Sequence, residues 1–214
     1  MFVPKSFAMG NLATIQQFID EFGFGILVSD DASCVTGSRL QASHLPFLLK
    51  SDEGEMGCLY SHCARANPQW KVFDKANVLI TFSGPHSYIS PSWYQARPAV
   101  PTWNYAAVHV YGCVELTSGK QSAKAITALV QKYEPGLLDN QEVIPEHFVD
   151  KLLAGIVGIK IKIQKVEGVQ KLGQQRNISD QLGVFNGLSG ADRFDSLALA
   201  NYMSKSNLGV GNIK

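Results

Sequence analysis

The stretch Leu59 to Trp70, LYSHCARANPQW, carries the most suggestive chemistry of the chain. Leu59, Ser61 and Cys63 alternate with Tyr60 and His62, the period of a pleated strand. Asn67-Pro68 then reads as a helix start: Asn caps well, and Pro has no N–H to leave unsatisfied in the first turn. Arg65 stands at the junction. Free backbone N–H groups, a positive helix end and a guanidinium fork together favour an anion, so a phosphorylated cofactor is the chemistry suggested here. An ordinary capped helix with Arg65 on its surface fits the same residues.

The remaining reactive types are scattered. His44 and His62 are the histidines placed to shuttle a proton near such a cofactor. His62, between Tyr60 and Ala64 on one face, reads equally as a hydrogen-bonded structural residue. His86 and His109 read as structural, and His147 as exposed. Cys34, Cys58, Cys63 and Cys113 share no C-x-x-C spacing, and neighbours His62 and Cys63 point to opposite faces of a strand, so no metal site is expected. There is no glycine-rich dinucleotide or P-loop motif.

The elements that must position these groups are mostly strands. A helix is expected over Asn11 to Phe22, where Leu12, Ile15, Phe18, Ile19 and Phe22 recur at helical spacing. Strands are expected at Phe24 to Ser29, at Arg39 to Lys50 with an irregularity at Pro46, at Ala76 to Ser83 before a turn at Gly84-Pro85, and at Thr102 to Leu116. Helices follow at Ser118 to Tyr133 and Pro145 to Ala154. Ile156 to Val166 alternates isoleucines with lysines as a strand with one wet face, and a turn at Glu167-Gly168 precedes Val169 to Arg176. One or two helices occupy Ser179 to about Ser204. Strands joined by short turns indicate a β-rich α+β fold, an antiparallel barrel with added helices.

The 214 residues are 45% apolar, enough for a sizeable core, and 19 basic residues against 18 acidic leave a net charge of +1. DNA-gripping proteins usually carry a basic excess, and the lysine face at Lys160, Lys162 and Lys165 is simplest as a solvated one. No apolar run is long enough for a membrane helix and no secretory pattern opens the chain, so a cytoplasmic location is expected.

Ala42 to Leu49 (ASHLPFLL), Ser61 to Trp70 (SHCARANPQW) and Gly84 to Gly112 (GPHSYISPSWY followed by VPTWNYAAVHVYG) resemble the PaiB-like family of FMN-binding transcriptional regulators. Leu152 to Arg176 resembles that family's C-terminal strand pair. The resemblance implies an FMN-binding split β-barrel over residues 1–176, a helical extension over 177–214, and a homodimer holding flavin between protomers. It gives Arg65, Ala66 and Asn67 the FMN phosphate, with Ser43, His44 and His62 alongside. Tyr88, Ser90, Trp93 and Trp103 would lie near the ring, although such aromatics serve equally as core or interface residues. Lys171, Gln174 and Arg176 fall where the family reads K-L-S-Q-N-R, with Gly173 in place of its Ser and Gln175 in place of its Asn. DNA as a partner comes from the resemblance alone. A flavin reductase or oxidase, with the cofactor supplying the redox chemistry, is the alternative, and a haem-binding split barrel using His44 or His62 as ligand is a third reading.

Overall fold

The computed structural model describes residues 1–32, 38–140, 142–145 and 151–212. Seven strands form one sheet in the order β2-β1-β5-β6-β7-β4-β3. They are β1 Phe24–Asp30, β2 Leu40–Pro46, β3 Leu48–Lys50, β4 Cys58–Ala64, β5 Asn77–Ile89, β6 Thr102–Leu116 and β7 Ile156–Lys171. The β1–β2, β1–β5, β3–β4 and β4–β7 pairs are antiparallel. The helices are α1 Leu12–Glu21, α2 Gly119–Tyr133, α3 Ile178–Ser189 and α4 Phe194–Ser206.

Most elements follow the expected periodicities. The expected break near Pro46 falls at Phe47, between β2 and β3, where the Phe47 N–H donates to the Gly23 carbonyl. Ser118 caps α2 through a capping box with Gln121, which satisfies N–H groups that a first helical turn leaves open. Three expectations need correction. β5 runs straight through Gly84-Pro85, and β7 runs straight through Glu167-Gly168, so neither pair makes a turn. The helix expected after Asn67 is a five-residue 3₁₀ turn, Pro68–Val72. The helix expected over Pro145–Ala154 lies largely outside the described residues; its described end, 151–154, is helical.

The chain divides into two compact units that are not contiguous in sequence. The larger holds residues 12–82 and 109–166, and the smaller holds 1–11, 83–108 and 167–214. β5, β6 and β7 each contribute residues to both, a division different from 1–176 and 177–214.

In the larger unit, α1 buries Ile15, Phe18 and Ile19, while alternate strand positions bury Leu27, Leu59, Ile80, Ile159 and Ile161. Phe47 and Phe82 meet edge to face there, with ring centroids 5.4 Å apart, a favoured aromatic geometry. Gly112 admits a close passage of β6 by β7, because a Cβ would lie 2.5 Å from the Lys162 carbonyl oxygen.

In the smaller unit, α3 and α4 cover the ends of β5 and β7. Ile89, Leu172, Val184, Leu188, Leu199 and Met203 form its core. The segment expected as a helical extension thus supplies most of this core.

Candidate functional site

In the larger unit the strand junction after β4 is bound up within the fold. Arg65 donates from Nε to the Ala154 carbonyl (2.8 Å) and from Nη2 to the Ile156 carbonyl (2.7 Å). Its backbone N–H donates to the Gly155 carbonyl, and that of Asn67 to the Ala64 carbonyl. A guanidinium holding two carbonyls acts as a clip on the start of β7, with two of its five N–H donors committed there. The 3₁₀ turn that follows is also too short to supply a helix end.

Asn67 does cap that turn, since its side chain accepts from the Gln69 N–H at 3.0 Å. Its Nδ2 donates to Ser43 Oγ (2.8 Å), and Ser43 Oγ donates to Gln69 Oε1 (2.6 Å). Gln69 Nε2 completes the set on Ser29 Oγ and the Gln41 carbonyl. Ser43 and Asn67 are brought together, as a closed polar network around the buried Gln69, and such networks fix a single arrangement when fully satisfied. Ala66 sits exposed in the turn between them. His44, exposed on β2, stacks on Phe24 with centroids 6.2 Å apart. His62 lies beneath α2 beside Ala125, Ile126 and Leu129, and burial pushes its imidazole below the ordinary histidine range.

The smaller unit gathers a different set. An open cavity of about 280 Å³ is walled by Ser83, Gly84, His86, Trp103, Tyr105 and Ala107. Trp103 is 52% exposed, unusual for so large an apolar side chain. Its ring lies 6.2 Å from that of His86 and 6.4 Å, edge-on, from that of Tyr88. His86 Nδ1 lies 3.3 Å from the Gly84 carbonyl, which favours the tautomer protonated there. Lys171 Nζ donates to Thr102 Oγ1 (2.5 Å) and to the Trp103 carbonyl (2.9 Å). Burial, and then the charge of Arg176, hold the Lys171 ammonium below the ordinary lysine range. Arg176 lies over the Tyr94 ring at 4.5 Å. Neither cation has a carboxylate within ion-pair distance among the described residues. Both cations are half-buried, and the charge of Arg176 acts on Lys171.

The other expected residues of this unit hold structure. Trp93 packs against the face of α3, where a Cβ on Gly187 would fall 2.4 Å from its ring. Ser90 caps the short turn Pro91–Trp93 by accepting from the Ser92 N–H. Gln174 accepts from the Leu172 N–H and donates to the Gln170 and Ser6 carbonyls. Gly173, the departure from the family's Ser, has φ of 81°, a conformation that glycine adopts without strain.

Residues 1–165 match a family model described as "Putative FMN-binding domain". Over 209 residues, 95% of this chain and 96% of the relative, the chain is 34% identical to the Bacillus subtilis protein named Protease synthase and sporulation protein PAI 2. The chain belongs to this FMN-binding domain family. A protein of Emericella nidulans, AN0679, is 29% identical over 94% of this chain and 95% of its own length. Among solved structures, the flavocytochrome Anf3 of Azotobacter vinelandii superposes with a TM-score of 0.60 at 17% identity, covering 78% of this chain and 72% of that one. The FAD and heme binding protein of Mycobacterium smegmatis superposes with a TM-score of 0.56 at 11% identity, covering 76% and 72%. These two likenesses show the fold: the antiparallel split-barrel class with added helices that the strand pattern suggested.

His86, which the sequence suggested was structural, and Tyr105, which it did not single out, wall this cavity, and Thr102 holds Lys171 beside it. The signal for His86 was its period: Ser83, His86 and Tyr88 are exposed while Phe82, Gly84, Ser87 and Ile89 are buried. A turn placed at Gly84-Pro85 hid that pattern.

Proposed function

We propose that this chain binds FMN in the smaller unit, as a homodimer, and serves a regulatory role of the PaiB type. The observation that carries the reading is Lys171, bonded to the carbonyl of the exposed Trp103 on an aromatic-walled cavity, with the charge of Arg176 acting on it and neither cation in an ion pair among the described residues. Flavin mononucleotide has the matching halves, an apolar tricyclic ring and a phosphate dianion. In this reading Trp103, Tyr105 and Tyr88 take the ring, and Lys171 and Arg176 take the phosphate with charge-assisted bonds. Bound flavin would supply hydride or single-electron chemistry; the protein orients it and tunes its surroundings. The name and extent of the Bacillus relative support the regulatory part.

The test is titration of FMN, riboflavin and FAD, with an absorption spectrum of the purified protein. Lys171→Met should weaken FMN by about ten- to a hundredfold, since a charge-assisted bond contributes roughly 1.5–3 kcal/mol and each 1.4 kcal/mol is a factor of ten. Riboflavin, which lacks the phosphate, should respond little. Trp103→Ala should weaken both. A Soret band without flavin bands, or no binding of any flavin, would defeat the proposal.

A second reading, an FMN-dependent oxidoreductase, draws on His86. It places a titratable imidazole, one nitrogen held by the Gly84 carbonyl, on the wall of the same cavity. Steady turnover with a nicotinamide reductant that is lost in His86→Asn would favour it.

A further inference from the structure

A second cavity, of about 340 Å³, opens in the larger unit between the β3–β4 pair, the loop that joins them, and α2. Its lining includes two carboxylates, Asp52 and Glu53, and two ammonium groups, Lys50 and Lys124. None of the four is within ion-pair distance of another; Glu53 is paired with Lys160 instead. Among the described residues, Lys50, Lys124 and Asp52 belong to no ion pair.

The hydrogen bonds decide what each part of the lining has left to offer. Glu53 Oε2 accepts from the Tyr60 hydroxyl (2.7 Å) and from Lys160 Nζ (2.9 Å). Those two bonds hold the carboxyl below its ordinary range, so it is ionised at neutral pH. Its side chain is 38% exposed, and Oε1 has no hydrogen bond among the described residues. Tyr60 donates its hydroxyl proton in that hydrogen bond, and its oxygen, which also faces the Lys160 ammonium, is left with acceptor capacity only. This part of the cavity therefore takes a donor, preferably a cationic one.

The α2 side is the converse. Gln121 Oε1 accepts from the Ser118 N–H and hydroxyl, in the capping box, and its Nε2 remains to donate. Lys124 follows one turn later, and Lys50 adds a second ammonium from β3. This part takes an acceptor, preferably an anionic one. Ala125 and Ala128 on α2 are small and leave the space open.

A cavity with one region for a cationic donor and another for an anionic acceptor complements a small zwitterion. We infer that it binds a free α-amino acid, its ammonium on Glu53 and Tyr60 and its carboxylate on Lys124, Lys50 and Gln121. The inference is independent of the flavin reading, which concerns other residues.

The test uses the full-length protein and the common α-amino acids one at a time, with acetate and methylamine as single-charge controls, followed by protein NMR and calorimetry. At least one amino acid should saturate at about 1 mM or below, and neither control should. Lys124→Ala, an exposed position, should weaken that binding at least about tenfold while FMN affinity stays unchanged. Glu53→Gln should weaken it as well. No saturation by any amino acid, saturation by acetate alone, or binding indifferent to Lys124→Ala would overturn the inference.

Discussion

Arg65 illustrates how much a residue's role depends on what its hydrogen bonds already hold. The type and position that suggested a phosphate anchor also suit a clip across two carbonyls, and the structure has the clip. Arg65→Ala should therefore lower unfolding stability, by about 1 kcal/mol for so exposed a group, since charged hydrogen bonds are worth more than this only when shielded from water. FMN and riboflavin affinities should fall together or not at all; a loss confined to FMN, in parallel titrations, would restore Arg65 to the phosphate. His62 makes a pH prediction. Its folded-state pKa lies below the ordinary 6.5 because burial disfavours the charged ring. Its contribution to stability is thus complete above that value and lost as pH falls from 6.5 through the folded value. Denaturant unfolding at stepped pH should show this decline in the wild type and a flatter profile in His62→Gln. Residue types, then, were legible from sequence, and Asn67 as a cap was read correctly. Competing partners were not, because carbonyls 89 and 91 residues away leave no mark near Arg65.

At the scale of elements, α3 is built to receive an indole. A Cβ on Gly187 would meet the Trp93 ring at 2.4 to 2.7 Å, and one on Gly183 the Trp93 carbonyl oxygen at 2.1 Å. Gly→Ala normally favours a helix by up to about 1 kcal/mol. Here the clash should reverse the sign, and Gly187→Ala should destabilise the protein by roughly 1–3 kcal/mol, the usual cost of overpacking. Thermal unfolding of Gly187→Ala beside Gly190→Ala, whose nearest contact is a looser 3.3 Å, checks the difference. Periodicity made α1, β6 and α2 legible nearly to the residue, since each repeats its apolar side over ten or more positions. Gly-Pro and Glu-Gly misled because they are common turn formers. Within β5 and β7 the surrounding strand pairing overrides that local preference.

For the whole molecule, the proposed homodimer can be checked by sedimentation at micromolar concentration, with and without FMN. Exposed Trp103, Tyr88 and Phe24 are apolar surface that association would cover. DNA affinity, if measurable, should be weak and fall steeply with salt. Lys160 is engaged by Glu53, and Lys165 lies over the Tyr111 ring at 5.0 Å, so the lysine face of β7 is partly occupied already. A filter-binding series over salt concentration would expose any tighter, sequence-specific mode.

The smaller unit is assembled from three separated stretches, 1–11, 83–108 and 167–214. On the ribosome, the walls of the aromatic cavity emerge with β5 and the start of β6. Lys171, Arg176 and the helices that bury Ile89 follow only after β6, α2 and most of β7 have been made. A nascent chain that has just exposed residues 12–166 holds the whole larger unit, while its smaller unit still lacks both cations and the helices that cover its core. Were the smaller unit to take the proposed flavin, translation itself would delay cofactor capture until the stretch from residue 167 onward has emerged.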